Sequence, residues 1–384
     1  MIIKPAIVCV GYNRKESIIR LVESVSNAYF EYDDINLIIS LDYSEKQKEI
    51  EESLSSIEWK YGKKRIIKHA SNLGLKNHIL KCGDLSHEYG AVIILEDDLV
   101  VSKNFYDYSL QAMNYYSNNE KVCGIGLYSH SFNGYAKYPF IPKRNEYDTY
   151  FGQFSITWGQ CWSENQWNSF KRWYILNKDN ELFENADIPS QIKKWGKNSW
   201  GKYFVNYIVE NDLFYVVPYC SLSTNCSEIG EHSKNKDLKH QTMLLDCLHK
   251  EYKFPTFKEG IKYDIFFERI FDSNILINDI DIKDIGIDFY GKHKYCTKKE
   301  YVLTCQKYKA KEIACYELEF RPVEQNVEKL KRGKGIYLYK TKDIKLLNPE
   351  IKNAIEFFYF DIFDNFRFRD LLYILIGKFL KWQE

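Results

Sequence analysis

The run Ala91-Val92-Ile93-Ile94-Leu95 ends without transition in three acids, Glu96-Asp97-Asp98. Five uninterrupted apolar residues suit a parallel strand covered on both faces, and such a strand cannot continue into charge. The acids therefore belong at its carboxyl end, the edge at which open α/β sheets bind ligands. Crowded carboxylates repel one another unless a cation neutralises them. Hard oxygen ligands suit Mg²⁺ or Mn²⁺, which in turn favour a diphosphate. Taken alone, the triplet reads equally as a solvated acidic turn, so its meaning depends on what else reaches the same edge.

Three further strand ends do. Ala6–Val10 is an apolar strand broken by Gly11-Tyr12-Asn13-Arg14, followed by a helical spacing of Ile18, Leu21, Val22, Val25 and Ala28. Ile35–Leu41 is a second strand, closed by Asp42, with an amphipathic helix over Glu45–Trp59. A third, Lys64–His69, leads through Asn72-Leu73-Gly74 into a helix reaching Leu80. Alternating strands and helices at this spacing predict a parallel sheet with right-handed crossovers. Arg14, Asp42, Asn72 and Asp98 then all follow strand carboxyl ends and line one crevice. Singly, each has a structural alternative: a helix-flanking charge, a strand-end turn, a loop cap.

Composition narrows the classes. A chain of 384 residues with 45% apolar content holds one large α/β domain and an appendage. Its formal net charge of +1 provides no basic excess for a run of phosphates, so no nucleic-acid partner is expected. The 10 cysteines lack C-x-x-C or zinc spacing and read as reduced thiols of a cytoplasmic protein. No signal-peptide pattern opens the sequence, and no apolar run approaches the roughly 20 residues of a membrane span.

The order Val8-Cys9-Val10-Gly11-Tyr12-Asn13-Arg14, Ser40-Leu41-Asp42, Asn72-Leu73-Gly74-Leu75 and Leu95-Glu96-Asp97-Asp98 followed by Asn104-Phe105 resembles the GT-A glycosyltransferases. Within them it looks closest to the N-acetylglucosaminyltransferase I branch and to bacterial family-2-like polysaccharide enzymes. The resemblance covers about the first two-thirds of the chain. It implies a Rossmann-like, mixed but mostly parallel sheet flanked by helices, with a C-terminal α-rich appendage. Residues 1–245 would be the catalytic domain, with nucleotide-sugar binding in 1–105 and the acceptor side in 106–245. Residues 246–384 would be accessory.

The resemblance also implies roles. Tyr12, Arg14, Asp42, Asn72 and Lys76 would hold the nucleoside, Glu96 and Asp97 would face ribose or donor sugar, and Asp98 would ligate a Mn²⁺ or Mg²⁺ bridging the diphosphate. The Gly/Trp-rich segment 150–164, with Trp158, Gly159 and Trp162, together with Trp200, would shape the sugar sites. A Trp-rich core layer is the competing reading of those indoles. A late loop would bring His232 to the metal.

Inverting transfer needs a carboxylate to take the acceptor's proton. Related enzymes carry it in an Asp-Trp step, where this chain has Ser199-Trp200. A serine hydroxyl is far too weak a base. Glu164, Asp187 and Glu231 are the candidate replacements, and a retaining front-face route would need none. The expected substrates are a nucleotide-sugar, most simply a UDP-sugar, and a glycan or lipid-linked glycan of a bacterial surface polysaccharide. Apolar residues and Arg367, Arg369, Lys378 and Lys381 over 351–382 read as amphipathic helices, docked on the protein or lying on a membrane surface. Two rival readings are an inactive nucleotide-sugar-binding scaffold, which suits Ser199, and a sugar-1-phosphate nucleotidyltransferase. The second requires a Gly-rich phosphate loop that Gly11-Tyr12-Asn13-Arg14 does not provide.

Overall fold

A computed structural model of the chain describes residues 2–180, 182, 187–228, 238–294, 298–329 and 331–350, and the isolated positions 357, 372, 375, 376 and 379. Two compact units are formed, residues 1–135 with 142–270, and residues 136–141 with 271–384.

The first unit is α/β. Its opening half runs β1 (Ala6–Gly11), α1 (Lys15–Ser26), β2 (Leu37–Leu41), α2 (Gln47–Ser55), β3 (Lys64–Lys68), α3 (Gly74–Asp84), β4 (Ala91–Glu96), β5 (Leu99–Val101) and α4 (Phe105–Tyr116). It continues with β6 (Val122–Gly126), β7 (Thr149–Gly152), β8 (Gln160–Ser163), α5 (Glu164–Asn177), α6 (Trp200–Glu210), β9 (Phe214–Pro218), β10 (Ser223–Asn225), β11 (Lys262–Tyr263) and β12 (Arg269–Ile270). Ten of these strands form one sheet in the order β12-β11-β7-β9-β6-β8-β4-β1-β2-β3. The pairs β1/β2, β1/β4, β2/β3 and β6/β9 are parallel, while β8 runs antiparallel to both neighbours.

The reason for this arrangement is legible in the side chains. β1 and β2 are buried along their whole length, and β4 as far as Leu95, so both sheet faces need covering. On one face Ile7, Cys9, Leu37, Ile39, Ile93 and Leu95 pack with Ile18, Leu21, Val22 and Val25 of α1 and with Phe105 and Tyr106 of α4. On the other, Trp162, Trp167, Phe170, Trp200 and Phe204 form a continuous aromatic layer with ring centroids 4.6–5.8 Å apart. A Cβ on Gly124 would come within 2.7 Å of the Trp162 ring, so the missing side chain at that strand position makes room for the indole.

The first unit extends to Ile270, past the boundary near 245 expected from the sequence. Residues beyond 245 complete it: β11 pairs with β7, and Tyr252 and Phe254 pack against Tyr108 of α4. The second unit also differs from an α-rich appendage. Its described part is built on a four-stranded sheet, β13 (Ile285–Ile287), β14 (Tyr301–Thr304), β15 (Ala314–Glu317) and β16 (Gly335–Lys340), ordered β13-β14-β16-β15. Alternating residues such as Leu303, Tyr316, Ile336 and Leu338 bury one face of it, a period-2 pattern that short Lys- and Asp-broken runs had obscured. The helices expected over 351–382 lie outside the described residues apart from the isolated positions. Of these, Leu372, Leu375, Ile376 and Phe379 are helical and exposed. Among the described residues no helix is long and apolar enough to cross a membrane.

Candidate functional site

Parallel pairing fixes which loops meet. Val10 lies opposite Ser40 on one side and Glu96 on the other, so the loops opened by Gly11, Asp42 and Asp97 leave the sheet at one edge. Arg14 there forms a two-pronged ion pair with Asp97. Its Nε donates to Oδ2 at 3.3 Å and its Nη2 donates to Oδ1. Arg14 and the acidic run thus share a crevice although they are 83 residues apart.

Asp42 is at the same edge but turned inward, with 2% of its surface exposed. Its carboxylate accepts the amides of Tyr43 (2.8 Å), Leu73 (2.9 Å) and Gly74 (3.1 Å), tying the β2 end to the first turn of α3. Asn72 Oδ1 accepts the Gly74 amide at 2.9 Å while the residue remains exposed. Tyr12 is half-buried, and its carbonyl accepts from Ser44 Oγ at 3.0 Å. Lys76 reaches away from this loop to the Lys197 carbonyl at 3.0 Å, with its ammonium over the Tyr203 ring. It holds the segment that leads into α6.

The acids are electrostatically unsatisfied. Burial pushes the Asp97 carboxyl up to about 6 against the opposing pull of Arg14. Burial, reinforced by Asp98 and Asp97, pushes Glu96 well above the carboxylate range, and burial likewise raises Asp98. Asp98 Oδ1 is buried with no hydrogen-bond partner among the described residues. An orphaned carboxylate oxygen in a site with excess negative charge fits a hard divalent cation. Among the described residues no three His, Cys, Asp or Glu gather as a ligand set. Among the described residues, Asp98 is the side chain that could hold such a cation.

The remaining candidates separate. Glu164 starts α5 beside Gly90, to whose carbonyl its amide donates, and its carboxylate meets His87 at 3.1 Å. Because β8 is antiparallel to β4, this is the amino end of β4, about 20 Å of strand away from Asp98. Glu164 cannot serve as the base for chemistry at Asp98. Trp162 has no exposed surface and Trp200 only 4%, both inside the aromatic layer, so neither presents a face to a sugar. The spacing of indoles was the same for core and site, and burial decides for core.

Trp158 and Gly159 fare otherwise. Gln160 opposite Ile94 carries Trp158 to the level of Glu96, where the half-buried indole packs on Tyr128 and His240 at 4.7 and 5.3 Å. Gly159 adopts φ +97°, and a Cβ there would come within 2.8 Å of Ser223 Oγ. Ser199 precedes α6 as its N-cap residue without a capping hydrogen bond from its side chain. Asp187 adjoins Ile188, which is buried with Ile192, Val205 and Phe266. Glu231 and His232 lie outside the described residues.

Sequence reasoning missed Ser17, Arg20, Cys226 and Glu228. The Cys226 amide donates to the Asp98 carbonyl at 2.8 Å, and Glu228 accepts from Ser17 Oγ and Arg20 Nη1, each at 2.6 Å. Ser17 and Arg20 share a helix face by their spacing, but nothing local signals partners more than two hundred residues away.

Residues 6–166 match the family model described as glycosyl transferase family 2. Solved structures similar to the chain include GalNAc-T7 with UDP, GalNAc and Mn²⁺, 11% identical, covering 58% of this chain and 44% of that one with a TM-score of 0.39. They also include residues 1–349 of TarS from S. aureus in complex with UDP-GlcNAc, 14% identical, covering 59% and 60% with a TM-score of 0.37. The same TarS fragment with UDP is 14% identical and covers 57% and 59% with a TM-score of 0.35. The chain thus spans less than two-thirds of the length of these structures. No curated protein matches it.

Proposed function

We propose that the chain is a metal-dependent glycosyltransferase, a reading supported by the match of residues 6–166 to the glycosyl transferase family 2 model and by the mostly parallel sheet those residues open. It moves a sugar from a nucleotide-sugar to a glycan or lipid-linked glycan in bacterial surface polysaccharide synthesis, working in the cytoplasm. The observation that carries this reading is the acidic strand end, with Asp97 paired to Arg14 and Asp98 Oδ1 buried without a hydrogen-bond partner among the described residues.

Asp98 would hold a Mn²⁺ or Mg²⁺, which supplies Lewis-acid stabilisation of the leaving diphosphate. Arg14 keeps Asp97 ionised and oriented, so that Asp98 is the acid left for an external charge. Asp42 and Asn72 shape the loop against which the nucleoside rests, with Tyr12 beside it and Glu96 toward the ribose or donor sugar. Trp158, at the level of Glu96, offers an indole face to a sugar ring, and the Gly159 backbone permits the close approach. Residues 1–105 serve the donor, and the rest of the first unit serves the acceptor. With Glu164 removed by position, Asp187 and Glu231 remain as bases for an inverting reaction, and His232 as a second metal ligand. The exposed helical positions Leu372, Leu375, Ile376 and Phe379, spaced on one face, favour a peripheral membrane contact that would bring a lipid-linked acceptor within reach.

The test is a thermal-shift panel of UDP and UDP-sugars with and without Mn²⁺, followed by donor turnover. UDP comes first because it is the nucleotide held by the GalNAc-T7 and TarS crystals. Stabilisation by UDP that requires Mn²⁺ supports the reading. Ser199 favours a second one, a scaffold that binds donor without turnover, and slow donor hydrolysis in the absence of acceptor discriminates against it.

A further inference from the structure

We propose that Glu228 is a positioning residue for Asp98: by binding Ser17 and Arg20 it anchors the strand whose last backbone hydrogen bond holds the Asp98 carbonyl. This rests on the reading of Asp98 as the acid that meets the donor's metal and diphosphate.

The argument begins with the short strand β5, which starts one residue after Asp98. Among the described residues β5 pairs only with β10, through Leu99 with Asn225, Val100 with Thr224 and Val101 with Ser223. The Cys226 amide on the Asp98 carbonyl, 2.8 Å, extends that ladder by one rung, so the backbone of the acid is the terminal rung of a two-stranded ribbon. Ribbon ends fray, and an isolated two-stranded ladder is marginal in water. This one is fastened beyond its end. Ser227 turns the chain through φ +51°, a conformation that needs holding in place, with its amide on Asn225 Oδ1 at 3.2 Å.

Glu228 then drops onto α1, taking hydrogen bonds from Ser17 and Arg20. The same helix holds the other strand, since Ser24 Oγ accepts the Val101 amide at 3.4 Å. One helix therefore clamps both sides of the ribbon. Arg20 and Glu228 are each about one-third exposed, and Arg20 also lies within electrostatic reach of Asp98. Glu228 itself also lies within electrostatic reach of Asp98, so its removal changes both the turn and the local charge, and Glu228→Gln, which removes the charge and keeps the side chain's reach, separates the two.

The experiment compares Glu228→Ala, Glu228→Gln and Ser17→Ala with the wild-type full chain. Amide hydrogen exchange at Cys226 and Leu99–Val101 is followed without ligand, and UDP binding with Mn²⁺ is followed by calorimetry. Glu228→Ala is expected to speed exchange at those amides and to weaken Mn²⁺-dependent UDP binding by about 5–10-fold, with kcat for donor turnover changed less than KM. Glu228→Gln, whose Oε1 can accept from Arg20 while its Nε2 donates to the Ser17 hydroxyl oxygen, should recover most of the binding, and Ser17→Ala should lose part of it. Unchanged exchange and unchanged UDP binding in Glu228→Ala overturn the proposal, even where Asp98→Asn abolishes binding. If Asp98→Asn also leaves UDP binding intact, it is the reading of Asp98 itself that fails.

Discussion

Arg14 and Asp97 stand at the carboxyl ends of adjacent parallel strands, with the guanidinium Nε 3.3 Å from Asp97 Oδ2 and the Nη2 on the other oxygen. The pair divides the acidic run into a neutralised member and an unsatisfied one. Arg14 is about 29% exposed and Asp97 about 8%, so the contact is sheltered enough for its loss to matter.

Arg14→Ala leaves Asp97 buried beside Glu96 and Asp98 without its counter-charge. Losing one partner of a sheltered pair costs on the order of 1–3 kcal/mol, and Arg14→Lys should recover only part because an ammonium cannot match the fork. Urea denaturation at pH 7 measures this, and the deficit should shrink at pH 5, where Asp97 takes up a proton. A stability equal to wild type at both pH values would show the pair to be without consequence.

Two buried groups give opposite pH signatures. Burial lowers His78, hydrogen-bonded to Ser40 Oγ at 2.8 Å, from 6.5 to about 4. A depressed folded value means stability that is complete above pH 6.5 and lost as pH falls toward 4, because the unfolded chain takes up the proton first. Asp97 is raised from 3.8 to about 6, so its contribution is complete below 3.8 and lost as pH rises through 6. Thermal unfolding of His78→Gln should therefore fall less than wild type between pH 6.5 and 4. Stabilisation by Mn²⁺ should grow between pH 5 and 7.

Glu164 and Trp162 test where the chemistry is not. Glu164→Gln should leave turnover within twofold of wild type, its only described partner being the half-exposed His87. Trp162→Ala removes a fully buried indole from the aromatic layer and should cost about 3–5 kcal/mol in denaturant, without a specific rise in KM. A large kcat loss in Glu164→Gln would place the reaction at the other end of β4.

The crevice was legible because strand periodicity is local. Apolar runs at Ala6–Val10 and Ala91–Leu95, and the mostly apolar Ile35–Leu41 broken at Asn36 and Ser40, dictate parallel strands, and parallel strands put Arg14, Asp42 and Asp98 at one edge. What a side chain does there was less legible, since it depends on contacts across the chain. Asp42 looks the same in sequence whether it meets a ligand or, as found, the amides of Leu73 and Gly74. Trp158 and Trp162 share one Gly/Trp segment, and only strand register separates the indole beside Glu96 from the one inside the core. Glu228 was invisible because its partners lie on α1.

The central claim is that Asp98 would hold, through its free carboxylate oxygen, a divalent cation on which nucleotide diphosphate binding depends. Calorimetric titration of UDP into wild type and Asp98→Asn, each with and without Mn²⁺, tests it most directly. The account predicts Mn²⁺-dependent binding in wild type and loss of that dependence in Asp98→Asn, whose thermal stability without metal is unchanged or higher because a buried charge is gone. Equal UDP affinity in both proteins, with the same response to Mn²⁺, would contradict it.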